Sequence, residues 1–210
     1  MDRPPRRPDA ERAVTQAPGR RERNRQDKLD RITAAASELF AEHGVDDVTT
    51  QQIAERADIG AGTLFLYAKT KGELLLLVQN AKYDEALEQG RRAAAATVDV
   101  VDAVTALVTP IVVCNRVQVS NGRTYLREMA FGDPSEPHHA RALAISGQTE
   151  QAVAEILVGR GGLDDGRAAT LAHVVSAVVF VSMVSAVDPV TSVASVVESI
   201  RAQLEAVLPR

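Results

Sequence analysis

Two helix-start signals set close together restrict what the N-terminal third of this chain can become. Thr49-Thr50-Gln51-Gln52 and Thr70-Lys71-Gly72-Glu73 each place a threonine three residues ahead of a Gln or Glu. In such a capping box the hydroxyl and the later side chain satisfy exposed backbone amides reciprocally. The first box opens a helix over Ile53 and Ala54 that stops near Ala57-Asp58. Ile59-Gly60-Ala61-Gly62 reads as a turn into a second short helix through about Leu66. The second box opens a long helix through Leu74, Leu77, Val78 and Ala81 towards Gln89. Upstream, Leu29, Ile32, Ala36, Leu39 and Phe40 recur at helical spacing from Gln26, and Gly44 stands as a C′ glycine. Two short helices joined by a tight turn and clamped between longer ones form a helix-turn-helix.

The remainder also reads as helices: Asp99 to about Val117, Gly122 to Phe131, Glu136 to Val158, Asp165 to Val187 and Pro189 to Val207. Gly132-Asp133-Pro134, Gly159 to Gly162 and Asp188-Pro189 punctuate them, the last with proline at the first helical position. Pro110 to Cys114 and Val117 to Val119 are β-prone; helical neighbours assign them to helix, with Pro110 kinking it or starting a new one. Hydrophobic residues make up 45% of 210, enough for a buried core. The fold class is all-α.

Ile32-Thr-Ala-Ala-Ala-Ser-Glu-Leu-Phe-Ala-Glu-His-Gly44, Thr49-Thr-Gln-Gln-Ile-Ala-Glu-Arg-Ala57, Gly62-Thr-Leu-Phe-Leu-Tyr67 and Lys71 to Leu75 together resemble the TetR family of regulators. The resemblance implies a three-helix helix-turn-helix DNA-binding domain over 26–72 and an all-helical ligand-binding and dimerisation domain over 73–210. It further implies that the Tyr67 position contacts backbone phosphate. Residues 1–25, rich in Pro, Arg and Ala, read as a disordered basic arm.

The DNA-facing candidates are Thr49, Thr50, Gln51, Gly60, Ala61, Thr63, Leu64, Tyr67 and Lys71. Lys71 in a first helical turn opposes the macrodipole, and a bound phosphate would reverse that penalty. Ala61, Phe65 and Ala68 depart from the family pattern, where Lys or Arg, Tyr and a bulky aromatic are usual. The recognition helix therefore offers no long polar side chain; Thr63 and Ala61 can touch thymine methyls or make single hydrogen bonds. Residues 26–75 hold five basic side chains against nine acids. Residues 1–25 hold eight arginines against four acids, in a chain of net charge −4. Arg20, Arg21, Arg23 and Arg25 are accordingly expected to supply attraction, as a minor-groove or phosphate arm.

Val193, Val196, Val197, Ile200, Leu204 and Val207 form one stripe, while Leu171 to Val187 is apolar nearly all round. Pairing these last two helices with their symmetry mates covers both, and makes a homodimer that reads a palindromic operator. The apolar run is too short for a membrane span, and no membrane partner is expected. Tyr125, Met129, Phe131, His173 and Phe180 are the candidate lining of a ligand cavity. With 3% aromatics and no Trp, an apolar or anionic ligand fits better than a flat cation. One cysteine, Cys114, leaves no internal disulfide or cysteine zinc site and suits a reducing cytoplasm. No phosphate loop, nucleophile-base order or metal spacing points to an enzyme or a cofactor. The expectation is a DNA-binding transcriptional repressor released by a small-molecule ligand; the alternative is a DNA-binding architectural protein without an effector.

Overall fold

The computed structural model describes residues 19–209; the part of the arm over 1–18 lies outside them. Among the described residues all regular structure is helical: α1 (Arg20–Asp47), α2 (Thr50–Arg56), α3 (Ala61–Leu64), α4 (Lys71–Ala95), α5 (Val100–Arg116), α6 (Val119–Phe131), α7 (Pro137–Gly159), α8 (Asp165–Ser185) and α9 (Val193–Val207).

Three starts differ from the sequence expectation, those of α1, α6 and α9. The first helix begins at Arg20, not Gln26, so Arg20, Arg21, Arg23 and Arg25 are helical rather than part of a disordered arm. Every residue from Gly19 to Lys28 is exposed, so this extension carries no apolar period to reveal it. The last helix begins at Val193, where the Ser192 side chain accepts from the Ser195 amide at 3.1 Å. A working serine cap outcompetes Pro189, which lies in the preceding turn. Arg116, at the end of α5, pins that turn by donating to the carbonyls of Ala186, Asp188 and Thr191 at 2.7, 3.0 and 2.6 Å.

Elsewhere the local signals and the helices agree. Gly44 sits at φ 77° and breaks α1 where a C′ glycine was expected. α5 runs through Pro110 without ending, and α6 follows at an angle of 112°. α6, by contrast, starts at Val119 rather than the expected Gly122, because Gln118 caps it, its side-chain oxygen accepting from the amides of Ser120 and Asn121.

One apolar core joins both parts of the chain, running from Ile32, Phe40 and Ile53 through Leu74 and Leu107 to Leu157 and Ile200. Burial of each such side chain contributes about 1.5–3 kcal/mol. α4 and α5 meet most intimately: a Cβ at Gly90 would lie 2.0 Å from the Leu107 carbonyl oxygen, so the two backbones touch. α8 is long and apolar enough to cross a bilayer, yet Ala168, Ala172, Val175, Val179 and Met183 bury one side of it against the body. Its other side, with Val174, Val181 and Val184, is not covered by the chain itself.

Candidate nucleic-acid interface and ligand cavity

α2 starts on a complete capping box: Thr49 Oγ1 accepts from the Gln52 amide at 3.2 Å, and Gln52 Oε1 accepts from the Thr49 amide at 2.8 Å. Thr50 is half-buried behind it, and the exposed Gln51 donates to Glu55 at 2.8 Å. α4 starts on half a box. Thr70 Oγ1 accepts from the Glu73 amide at 3.0 Å, but the Glu73 side chain turns inward and is buried.

The turn between α2 and α3 includes Asp58 at φ 52°, and Gly60 caps α3, its carbonyl accepting from the Thr63 amide at 2.8 Å. Gly60 is exposed, with Ala61 and Thr63 half-buried beside it. Leu64, expected at the DNA, is instead fully buried: it anchors the short helix in the core and presents nothing to a groove. The apolar side chains that do face outward are Phe65 and Leu66, 45% and 83% exposed. Neither was among the DNA-facing candidates from the sequence; with Leu64 fixed inward, helical spacing turns the next two residues out.

Charge in this region is largely used internally. Arg56 pairs with Glu38 at 2.8 Å, Arg31 with Asp58 at 3.5 Å, and Lys69 with Glu136. Lys71 donates to the Asp46 carbonyl at 3.2 Å, tying α4 to the end of α1. Tyr67 donates its hydroxyl to the Arg25 carbonyl at 3.3 Å, which sets the first turns of α1 beside the end of the recognition helix. Arg20, Arg21 and Arg25 make no ion pair with any described residue. Arg21 and Arg25, four apart, share one face of the helix.

Residues 32–78, from the middle of α1 into α4, match the family model of bacterial regulatory proteins, tetR family. Over that segment the chain is similar to the tetR family. No curated protein is similar enough in sequence to match it. Solved structures match over nearly the whole chain. One is FadR from Thermus thermophilus, a TetR-family transcriptional repressor in complex with lauroyl-CoA: 25% identical, TM-score 0.66, covering 87% of this chain and 96% of that one. A TetR transcriptional regulator from Rhodococcus sp. RHA1 is 18% identical at TM-score 0.63, over 87% and 96%. FadR from Bacillus subtilis, in complex with stearoyl-CoA, is 17% identical at TM-score 0.60, over 83% and 96%. The chain therefore shares the architecture of these regulators, a helix-turn-helix domain on a helical body.

Within that body, α4 to α8 enclose a cavity of about 90 Å³, with Ile111, Ile145 and Val179 among its apolar walls. Tyr125, Met129 and Phe180 line it, as the sequence suggested. Phe131 does not: it is 86% exposed and borders a separate outer groove. His173 does not either; it points away on the outer side of α8, 3.2 Å from Glu150. On a helix apolar nearly all round, periodicity could not tell inner from outer positions. The sequence reading also missed Tyr83, whose ring stacks on Tyr125 with centroids 4.1 Å apart. Burial pushes both phenols well above their ordinary pKa, so each remains a neutral hydroxyl. Leu126 and Phe180 border both the cavity and the outer groove, which also carries Arg123, Arg127 and one opposing acid, Asp46.

Proposed function

We propose that this TetR-family regulator is a repressor that binds a palindromic operator as a homodimer and is released by a long-chain acyl ligand bearing an anionic headgroup, of the acyl-CoA class. The observation that carries the ligand class is that an apolar cavity and a groove holding two arginines share the walls Leu126 and Phe180. The tail would lie past Phe180 among Ile111, Ile145 and Val179, and the headgroup would face Arg123 and Arg127. Arg123 has no ion-pair partner among the described residues, and Arg127 pairs only with its neighbour Glu128 at 3.3 Å. The Thermus thermophilus repressor, similar over most of its length, is described with lauroyl-CoA bound, which supports the same class here.

The dimer follows from the uncovered face of α8, Val174, Val181 and Val184, flanked on α9 by small exposed Ser195, Ser199 and Ala202. Burying it against a second copy covers the apolar area that one chain leaves open. A two-fold pair then presents two recognition helices to two half-sites. In the DNA domain, Gly60, Ala61, Thr63, Phe65 and Leu66 would meet bases by shape and methyl contact. Thr49, Gln51, Tyr67, Lys71 and the arginines of α1 would meet the backbone.

Calorimetry with lauroyl-CoA, laurate and CoA, alongside gel-shift on an operator selected from random DNA, tests the ligand class. Lauroyl-CoA is expected to bind tightest and to release the DNA, with Arg123→Glu/Arg127→Glu erasing its advantage over laurate. A protein that holds its operator unchanged under all three, or stays monomeric in light scattering, contradicts the proposal.

A further inference from the structure

The cavity and the recognition helix are joined by side chains from three helices, α4, α6 and α7. Tyr125, in the cavity wall on α6, donates its hydroxyl to Asn80 Oδ1 on α4 at 3.0 Å. Asn80 Nδ2 donates to the backbone carbonyl of His138, in the first turn of α7, at 2.9 Å. His138 Nε2 lies 3.0 Å from the carbonyl of Tyr67, which follows α3, and a carbonyl there requires that nitrogen to carry the proton. Glu136, two residues earlier on the same turn, holds Lys69. The start of α7 thus grips the segment from Tyr67 to Lys69 and is itself held by Asn80.

Tyr125 and Asn80 are 2% and 5% exposed, so water cannot replace the bond between them. Tyr83, the other phenol in the wall, accepts from Asn115 at 2.8 Å and has no bond to Asn80 or His138. The cavity's 90 Å³ is well under the roughly 300 Å³ of a typical ligand pocket. An entering ligand therefore has to push walls apart, and Tyr125 is a wall.

We infer that Asn80 and His138 are positioning residues that couple the cavity wall to the recognition helix through the series Tyr125–Asn80–His138–Tyr67. This rests on reading the cavity as the effector site. Displacing Tyr125 breaks its bond to Asn80, releases the His138 turn, and loosens the hold on Tyr67 and Lys69. Coupling of this kind is a property of the pair, so neither residue needs to touch ligand or DNA.

The test uses full-length protein, with amide hydrogen exchange read over residues 61–70 and over α9 as a control. Tyr125→Phe removes only the hydroxyl and keeps the ring stacked on Tyr83. It is expected to speed exchange in 61–70 about five-fold, the scale of one buried hydrogen bond, and to leave α9 unchanged. His138→Ala should do the same, and His138→Gln, whose amide can still reach the Tyr67 carbonyl, should restore slow exchange. Tyr125→Phe/His138→Ala together should add nothing beyond either alone. Additive effects, equal acceleration in α9, or unchanged exchange in 61–70 would overturn the coupling. None of these readouts needs a ligand, so failure of lauroyl-CoA to bind would count against the proposed effector class and not against the series.

Discussion

Asn121 closes the break that Gly44 opens in α1. Its Oδ1 accepts from the Val45 amide at 2.7 Å, and its Nδ2 donates to the Phe40 carbonyl at 2.8 Å, one group on each side of the glycine. A residue of α6 thereby satisfies two backbone groups of the DNA-binding domain in a buried setting. Asn121→Ala should lower the unfolding free energy by about 2–3 kcal/mol, since both groups lose their partner. Gly44→Ala should cost a comparable amount, because φ 77° suits glycine and a Cβ would meet Gln118 and Ser120 side chains at 2.7 and 2.8 Å. Urea denaturation checks both, with an unchanged slope expected and only the midpoint moving.

The helical placement of the arginines turns an arm into a rigid edge, with a distinct salt signature. Arg21→Gln and Arg25→Gln should each reduce the slope of log affinity against log salt by about 0.9, uniformly across DNA sequences. Circular dichroism should show the helix content intact. A slope equal to wild type in both variants would take α1 off the phosphate backbone.

Glu73 sets a pH dependence. Burial raises its pKa above the ordinary carboxylate value of 4.5, Glu136 adds to the rise, and Oε2 has no partner. The folded state therefore holds the proton more tightly than the unfolded one, so stability falls as pH climbs from about 4.5 through the raised folded value. Glu73→Gln should remove that fall and be the more stable protein at pH 7, by about 1 kcal/mol. Thermal melts from pH 4 to 8 should show the two curves diverging upward in pH; a wild type that gains on the variant as pH rises would reverse the assignment.

Cys114 should be a slow thiol. Burial lifts its pKa to about 11 from an ordinary 9.0. At pH 8 its thiolate fraction is then about a hundredfold below that of an unperturbed thiol, and alkylation should slow in proportion. Iodoacetamide labelling of the native protein, set against the same protein in urea, gives the ratio.

What could be read from sequence was local. The Thr49 box and Gly44 act within a few residues, and each stands where its pattern placed it. Thr70 shows the limit: the motif has the right letters, but Glu73 is drawn into the interior by its packing beside α7 and leaves its box half made. Leu64 fell within a run whose family resemblance pointed to DNA, while burial on one side of a four-residue helix decided otherwise. The long-range contacts around the cavity and the DNA domain were out of reach for a different reason. Asn121 with Phe40, Tyr125 with Asn80 and His138 with Tyr67 are 81, 45 and 71 residues apart, and no periodicity encodes partners at such separations.

The touching backbones at Gly90 and Leu107 give α4 a fulcrum. From Gly90 to Lys71 the helix runs about 28 Å, at 1.5 Å per residue. A tilt of about 5° around that point sweeps the start of α4 through about 2.5 Å, close to half the pitch of an α-helix. The mechanical gain is set by where the glycine sits: closer to Lys71 the same tilt would barely move the start of α4, whereas its place near the far end gives that start the longest sweep.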